Sequence, residues 1–121
     1  MVFSDSQIQE LNSKVQAFQE QGVVDEDIGT LTTPIPMTIE AVSEHAEARM
    51  KKRGITKEDA QQYIDKAMVM FEQSGAERRL YVSDDGNSAV QVEGSELKTA
   101  YSAEDFDDGM KAIIDEVKKY E

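Results

Sequence analysis

Cysteine is absent from this 121-residue chain, proline occurs twice, and His45 is the single histidine. Without cysteine, thiolate zinc sites, redox pairs and cysteine nucleophiles are excluded, and a reducing, cytoplasmic setting is the expected one. A histidine-based metal site needs a second such ligand, so no metal is expected, and no cofactor motif is present: there is neither a phosphate-cradling glycine loop nor a serine elbow. No basic stretch followed by an apolar run stands at the N-terminus, and no segment approaches the roughly 20 apolar residues of a membrane span, so no membrane partner is expected. Basic residues are scarce as well. Thirteen Lys and Arg stand against twenty-five Asp and Glu, a net charge of −12. That balance argues against broad attraction to nucleic acid, which needs clustered cations.

What is present fits one small core. A chain of this length buries roughly two thirds of its unfolded surface, enough for stability without covalent or metal staples. Its cations are unevenly placed. Residues 49–79 hold eight of the thirteen basic side chains, among them Arg49, Arg53, Arg78 and Arg79. If these converge, a local positive patch sits on a negative body; the plainer alternative is a solvated helix end whose cations favour the C-terminal dipole.

Ser4 with Gln7 reads as a capping box, and Ile8, Leu11, Val15 and Phe18 follow at helical spacing until Gly22. Residues 23–37 lack periodicity and read as a connector, which divides the chain into an N-terminal helix and connector (residues 1–37) and a main domain (residues 38–121). The stripe of the first helix must be covered by the domain or by another copy, so association through residues 8–18 is open. Thr38 is the expected cap of a second helix with Ile39, Val42, Ala46 and Met50 on its apolar side, ended by Gly54. Thr56 and Asp59 open a third, with Ala60, Tyr63, Ile64, Ala67, Met68 and Phe71 inward before Gly75. Residues 79–83 and 89–93 read as strands joined by a hairpin turn at Asp84, Asp85, Gly86 and Asn87, and residues 96–101 as a third strand with Leu97, Thr99 and Tyr101 on one face. Ser102 and Asp105 then cap a final helix carrying Phe106, Met110, Ile113, Ile114 and Val117. The expected class is α+β: N-terminal helices packed on a small antiparallel sheet of three or more strands, with a C-terminal helix.

Candidate site residues cluster on the second helix. At about 100° per residue, Arg49 and Arg53 fall beside the apolar stripe and His45 lies further round. A guanidinium held near a core needs a carboxylate, a carbonyl or a ligand phosphate. An anion site is one expectation; the other is that Arg49 pairs with an acid or a strand carbonyl and Arg53 closes the helix end. His45 is the one side chain that titrates near neutrality without a shift. Thr99 and Tyr101 bring hydroxyls to one strand face, where both residue types are also at home for structural reasons. The acids at 84–85 are accounted for by the turn and those at 104–108 by a helix start.

The run His45, Ala46, Glu47, Ala48, Arg49, Met50, Lys51, Lys52, Arg53, Gly54, Ile55, Thr56, followed by a helix, a hairpin and then Thr99, Ala100, Tyr101 and Ser102, resembles the toxin-related class written BECR, which groups barnase, EndoU, certain colicins and RelE-type ribonucleases. The likeness spans residues 38–117 and is nearest to phage-borne members, similar domains being found beside or fused to phage minor head proteins. It implies metal-independent RNA cleavage by a 2′-hydroxyl, with His45 as acid or base, Arg49 and Tyr101 in the catalytic constellation, and Arg53 and Thr99 binding the phosphate. RNA would then be met through the local basic patch. A charge of −12 suits that activity poorly, and a second general base is not evident. Two alternatives stand beside it: a non-enzymatic phage structural or protein-interaction module that kept the fold, with a phage head protein or a basic protein as partner, and an acidic immunity-type or nucleic-acid-mimic protein.

Overall fold

The computed structural model describes residues 3–73 and 77–120, and shows an α+β domain whose sheet is mixed and six-stranded. The elements in chain order are α1 (Asp5–Glu20), β1 (Thr30–Thr32), β2 (Ala41–Val42), α2 (Glu44–Arg53), α3 (Lys57–Asp65), β3 (Ala67–Glu72), β4 (Arg78–Ser83), β5 (Ser88–Glu93), β6 (Glu96–Ser102) and α4 (Asp108–Lys118). Strands lie in the order β1-β3-β4-β5-β6-β2; every pair is antiparallel except β6 with β2. The sheet separates two cores. Leu11 and Val15 of α1 and Ile113, Ile114 and Val117 of α4 pack on Phe71, Leu80, Val82 and Ala89. Ala46 and Met50 of α2 and Ala60 and Ile64 of α3 pack on Met70, Tyr81, Val90, Val92, Leu97 and Ala100 on the other face.

Local signals hold where side chains bond to the backbone. Ser4 and Gln7 form the capping box of α1, and Thr56 and Asp59 form that of α3. The hairpin turn is tied by Asp85, whose Oδ1 accepts from the Ser83 hydroxyl at 2.6 Å and from the Asn87 N–H at 2.9 Å. Those bonds, the Ser83 hydroxyl foremost, hold the Asp85 carboxyl below its ordinary range.

Three expectations are corrected. The second helix is capped by Ser43, whose hydroxyl accepts from the Ala46 N–H, and not by Thr38. Ile39 and Val42 precede it on a strip that runs beside β6: Glu40 N–H donates to Ser95 and Ser43 N–H to Leu97, and β2 pairs in parallel there. The third helix stops at Asp65, and Ala67, Met68 and Phe71 belong to β3. Met68, Val69, Met70 and Phe71 are all buried, so this strand lies between two cores, and an apolar run of that kind matches helical spacing and two-sided strand equally. Gly75, the expected stop, lies outside the described residues. At the last helix, Ser102 and Asp105 bracket a short 3-10 turn (Ala103–Asp105), while Asp107 caps α4 itself through the Met110 N–H.

Residues 1–37 also depart from the expected separation. Leu11 and Val15 are 1% and 3% exposed, Ile8 and Phe18 pack against the same cluster, and the connector contributes β1 to the sheet. The stripe of α1 is therefore covered by its own domain and is not free for association through residues 8–18. Tyr81, buried to 0% exposure, pins the stretch before β2 by donating its hydroxyl to the Ile35 carbonyl at 2.6 Å. Burial pushes that phenol up, with Arg79 nearby opposing the shift. Gly29 turns the chain into β1 at φ 87, where an added Cβ would lie 2.1 Å from the Glu72 carbonyl oxygen, so no side chain fits.

Candidate functional site

The five sequence-nominated residues divide between the two faces of the sheet. Ala46, Met50 and then Arg53 form the inward line of α2, at i, i+4 and i+7. From that line Arg49 is turned away by roughly 60° and His45 by roughly 100°, and both are exposed. Thr99 and Tyr101 point the other way. An extra residue, Lys98, interrupts the β5–β6 register: Gln91 faces Thr99, yet Val92 faces Leu97. Leu97 and Ala100 consequently join the core under α2 and α3, while Tyr101 packs with the α1 and α4 core. The expectation that Leu97, Thr99 and Tyr101 share a face is corrected by this bulge.

Arg53 is the residue that bridges the faces. It reaches round the open side of β6, donates from Nη1 to the Ala100 carbonyl at 2.7 Å, and lies 3.5 Å from the Asp105 carboxylate through Nε. Its guanidinium also stands 5.2 Å from the centre of the Tyr101 ring, within cation–π range. Asp105 is held below the usual carboxylate range first by the Ser102 N–H, with the Ser102 hydroxyl and Arg53 adding to it against burial. Arg53 therefore satisfies an edge carbonyl and an acid of its own chain. Replacing it with Ala is expected to lower stability by about 1–2 kcal/mol, the scale of a half-exposed charged hydrogen bond, whereas Arg49→Ala stays within about 0.5 kcal/mol. Urea unfolding of both variants checks this; equal losses would show that the Arg53 contacts contribute nothing.

A concave surface of mixed chemistry lies on the α4 face. It is a depression of about 270 Å³ between residues 24–28, the start of α4, and the centre of the sheet. Gly109 lets α4 approach closely: an added Cβ there would meet the Val23 carbonyl at 2.8 Å. Phe106, Met110 and Ile113 form one wall, Leu80, Gln91 and Tyr101 reach it from the strands, and Gln73 reaches it from just beyond β3. Four carboxylates, of Asp25, Asp27, Asp105 and Asp107, line it, and no Lys or Arg does. Asp25 accepts from the Asp27 N–H and Asp107 from the Met110 N–H, each as a cap. No cluster of three metal-ligating side chains occurs among the described residues.

Sequence reading missed this depression because its parts are distant in the chain. One signal was there: Gln91 stands between Val90 and Val92 in a strand whose neighbours are buried on both faces, and an inward amide there calls for a partner. No family model, curated protein or solved structure matches the chain. The likeness to the BECR class accordingly rests on the sequence pattern of residues 38–117 alone. No helix among the described residues is long and apolar enough to cross a membrane.

Proposed function

We propose that this chain is a non-catalytic interaction domain whose partner is a basic protein. The observation that carries this reading is the depression lined by Asp25, Asp27, Asp105 and Asp107 with no Lys or Arg among its lining residues. Arg53 offsets part of Asp105, and the other three carboxylates have no ion pair among the described residues. On a chain of net charge −12 such a surface attracts cations from a distance and gives them an apolar wall on arrival. The RNA-cleaving reading has less support: His45 and Arg49 lie exposed on α2, Thr99 and Tyr101 turn to the opposite face, and Arg53 is bound within the chain.

The test is a titration of the chain with a short peptide rich in arginine and lysine, at low and at physiological salt, beside incubation with labelled single-stranded RNA. Saturable binding that weakens as salt rises, with the RNA left intact, is the expected result. Cleavage of the RNA that disappears in His45→Ala would overturn it in favour of the ribonuclease reading, and failure of the peptide to bind would remove the basic partner.

A further inference from the structure

The amides on the floor of the depression have a direction. Gln73 donates from Nε2 to the Ile28 carbonyl at 3.4 Å, and because a carbonyl only accepts, this bond fixes which end of the Gln73 amide faces inward. Its Oε1 is thereby turned to Gln91, which donates to it from Nε2 at 2.8 Å. The far end of the relay is the Gln91 oxygen, an acceptor with no donor among the described residues. Beside it, facing Gln91 across β5 and β6, Thr99 is 5% exposed and its hydroxyl oxygen has no partner. The Thr99 hydroxyl is the buried, unpartnered group of the pair, while the Gln91 oxygen is open to solvent and free to accept a donor that enters the depression.

We infer that the depression receives the side chain of an arginine from the basic partner, a refinement that rests on the reading of the domain as a binder of basic protein. Three features of the site select this group. Acceptors outnumber donors among its open polar groups: the Gln91 oxygen and the carboxylates of Asp25 and Asp27 stand beside one donor, the Tyr101 hydroxyl, which suits a planar cation with five N–H donors and no acceptor. Its wall of Phe106, Met110 and Ile113 is apolar, matching the aliphatic stem that carries the cation. Its volume of about 270 Å³ lies just under the range of whole small-molecule pockets and fits one side chain rather than a folded segment. The Asp27 carboxylate, alone of the four, makes no hydrogen bond or ion pair among the described residues, so it is open to pair with the incoming charge.

Amide-resolved NMR titration of the full chain with N-acetyl-arginine amide, N-acetyl-lysine amide and spermidine tests the inference. The arginine probe is expected to shift residues 25–28 and 105–110 and the Gln91 side-chain amide saturably, and to bind more tightly than the lysine probe. Gln91→Leu and Asp27→Asn are each expected to weaken it about tenfold, the scale of one charge-assisted hydrogen bond. Asp27 is exposed, so its variant reports even if Gln91→Leu fails to fold. Shifts scattered alike over the acidic surface by all three cations, or an unchanged affinity in both variants, would overturn it. Tighter binding of spermidine in the same place would overturn the assignment to a protein side chain. If the basic peptide binds while these resonances stay fixed, the inference falls and the broader reading stands; if the arginine probe binds there and the peptide does not, the reverse holds.

Discussion

A chain that starts at Thr30 is expected to lose cooperative folding. The deletion removes Phe3, Leu11, Val15 and Val24 from the core under α1 and α4, all of them less than 9% exposed in the intact domain. Burying an aliphatic or aromatic side chain contributes about 1.5–3 kcal/mol, so four such losses sum to roughly 6–12 kcal/mol, a range that the compactness of the denatured chain reduces somewhat. Total stabilities of domains are about 5–15 kcal/mol. The loss is thus of the same size as the whole, and it uncovers Phe71 and Leu80 of the sheet as well. Thermal melting followed by far-ultraviolet circular dichroism checks the point: the full chain should show a sigmoidal transition and the truncated one a shallow drift. A truncated chain that melts sharply near the same temperature would restore the view of residues 1–37 as an appendage.

The first helix could be read as separate because the connector after it hides its contribution. Thr30–Thr32 is three residues long, too short to show alternation, and it becomes a strand only because β3 offers an edge. The same limit applies to β2, two residues whose extended form comes from the Ser95 and Leu97 carbonyls beside them. Long-range pairing, not local preference, made both strands. By contrast the hairpin, the capping boxes of α1 and α3, and the apolar stripe of α4 were legible, since in each the residues that decide the structure lie within a few positions of one another. The helix read through Phe71 failed for a third reason: Ala67, Met68 and Phe71 continue the spacing of α3, while the burial of Val69 and Met70 between them distinguishes a strand.

The candidate site divides along the same line. The two arginines exchange the roles expected of them: Arg53, in line with Ala46 and Met50, is the one paired with a strand carbonyl and an acid, and Arg49 is exposed, because the partners, the Ala100 carbonyl and Asp105, depend on where β6 lies. Lys98 was the unreadable element. One inserted residue in β6 sends Thr99 and Tyr101 to the face away from α2, and nothing in the local sequence marks it as a bulge. Of the acids that line the depression, Asp105 and Asp107 are legible as part of a helix start, whereas Asp25 and Asp27 fall in the stretch read only as a connector, where Asp25 proves to be a cap as Asp107 is. Their common location is a product of the fold.

Replacement of Asn12 by Ala is expected to destabilise the domain by about 2–3 kcal/mol, an unusual amount for a single amide near the surface. Asn12 stands on the flank of the α1 stripe, roughly 40° from Ile8 and 60° from Val15, where a polar residue has no packing reason to be. Its side chain takes the place of a neighbouring strand. The Leu31 N–H donates to Asn12 Oδ1 at 2.8 Å, and Asn12 Nδ2 donates in return to the Leu31 carbonyl. Leu31 is the central residue of the edge strand β1, and with its side chain 0% exposed it cannot turn its backbone to water without leaving the core. Ala at position 12 leaves one donor and one acceptor unpaired, each costing about 1–3 kcal/mol, with partial access of solvent keeping the sum below the upper limit. Asp at position 12 separates the two halves of the argument, since a carboxylate still accepts from the Leu31 N–H but presents an oxygen to the carbonyl; it should be at least as damaging as Ala at neutral pH and recover as the pH falls and the acid gains a proton to donate. Hydrogen exchange at the Leu31 amide, read beside the urea midpoint, distinguishes this from a general loss of helix stability. Protection that disappears at Leu31 and at its antiparallel partner strand β3 while the α2 and α3 amides keep theirs is the expected pattern, and unchanged protection at Leu31 in Asn12→Ala would show that the edge strand does not depend on the clamp.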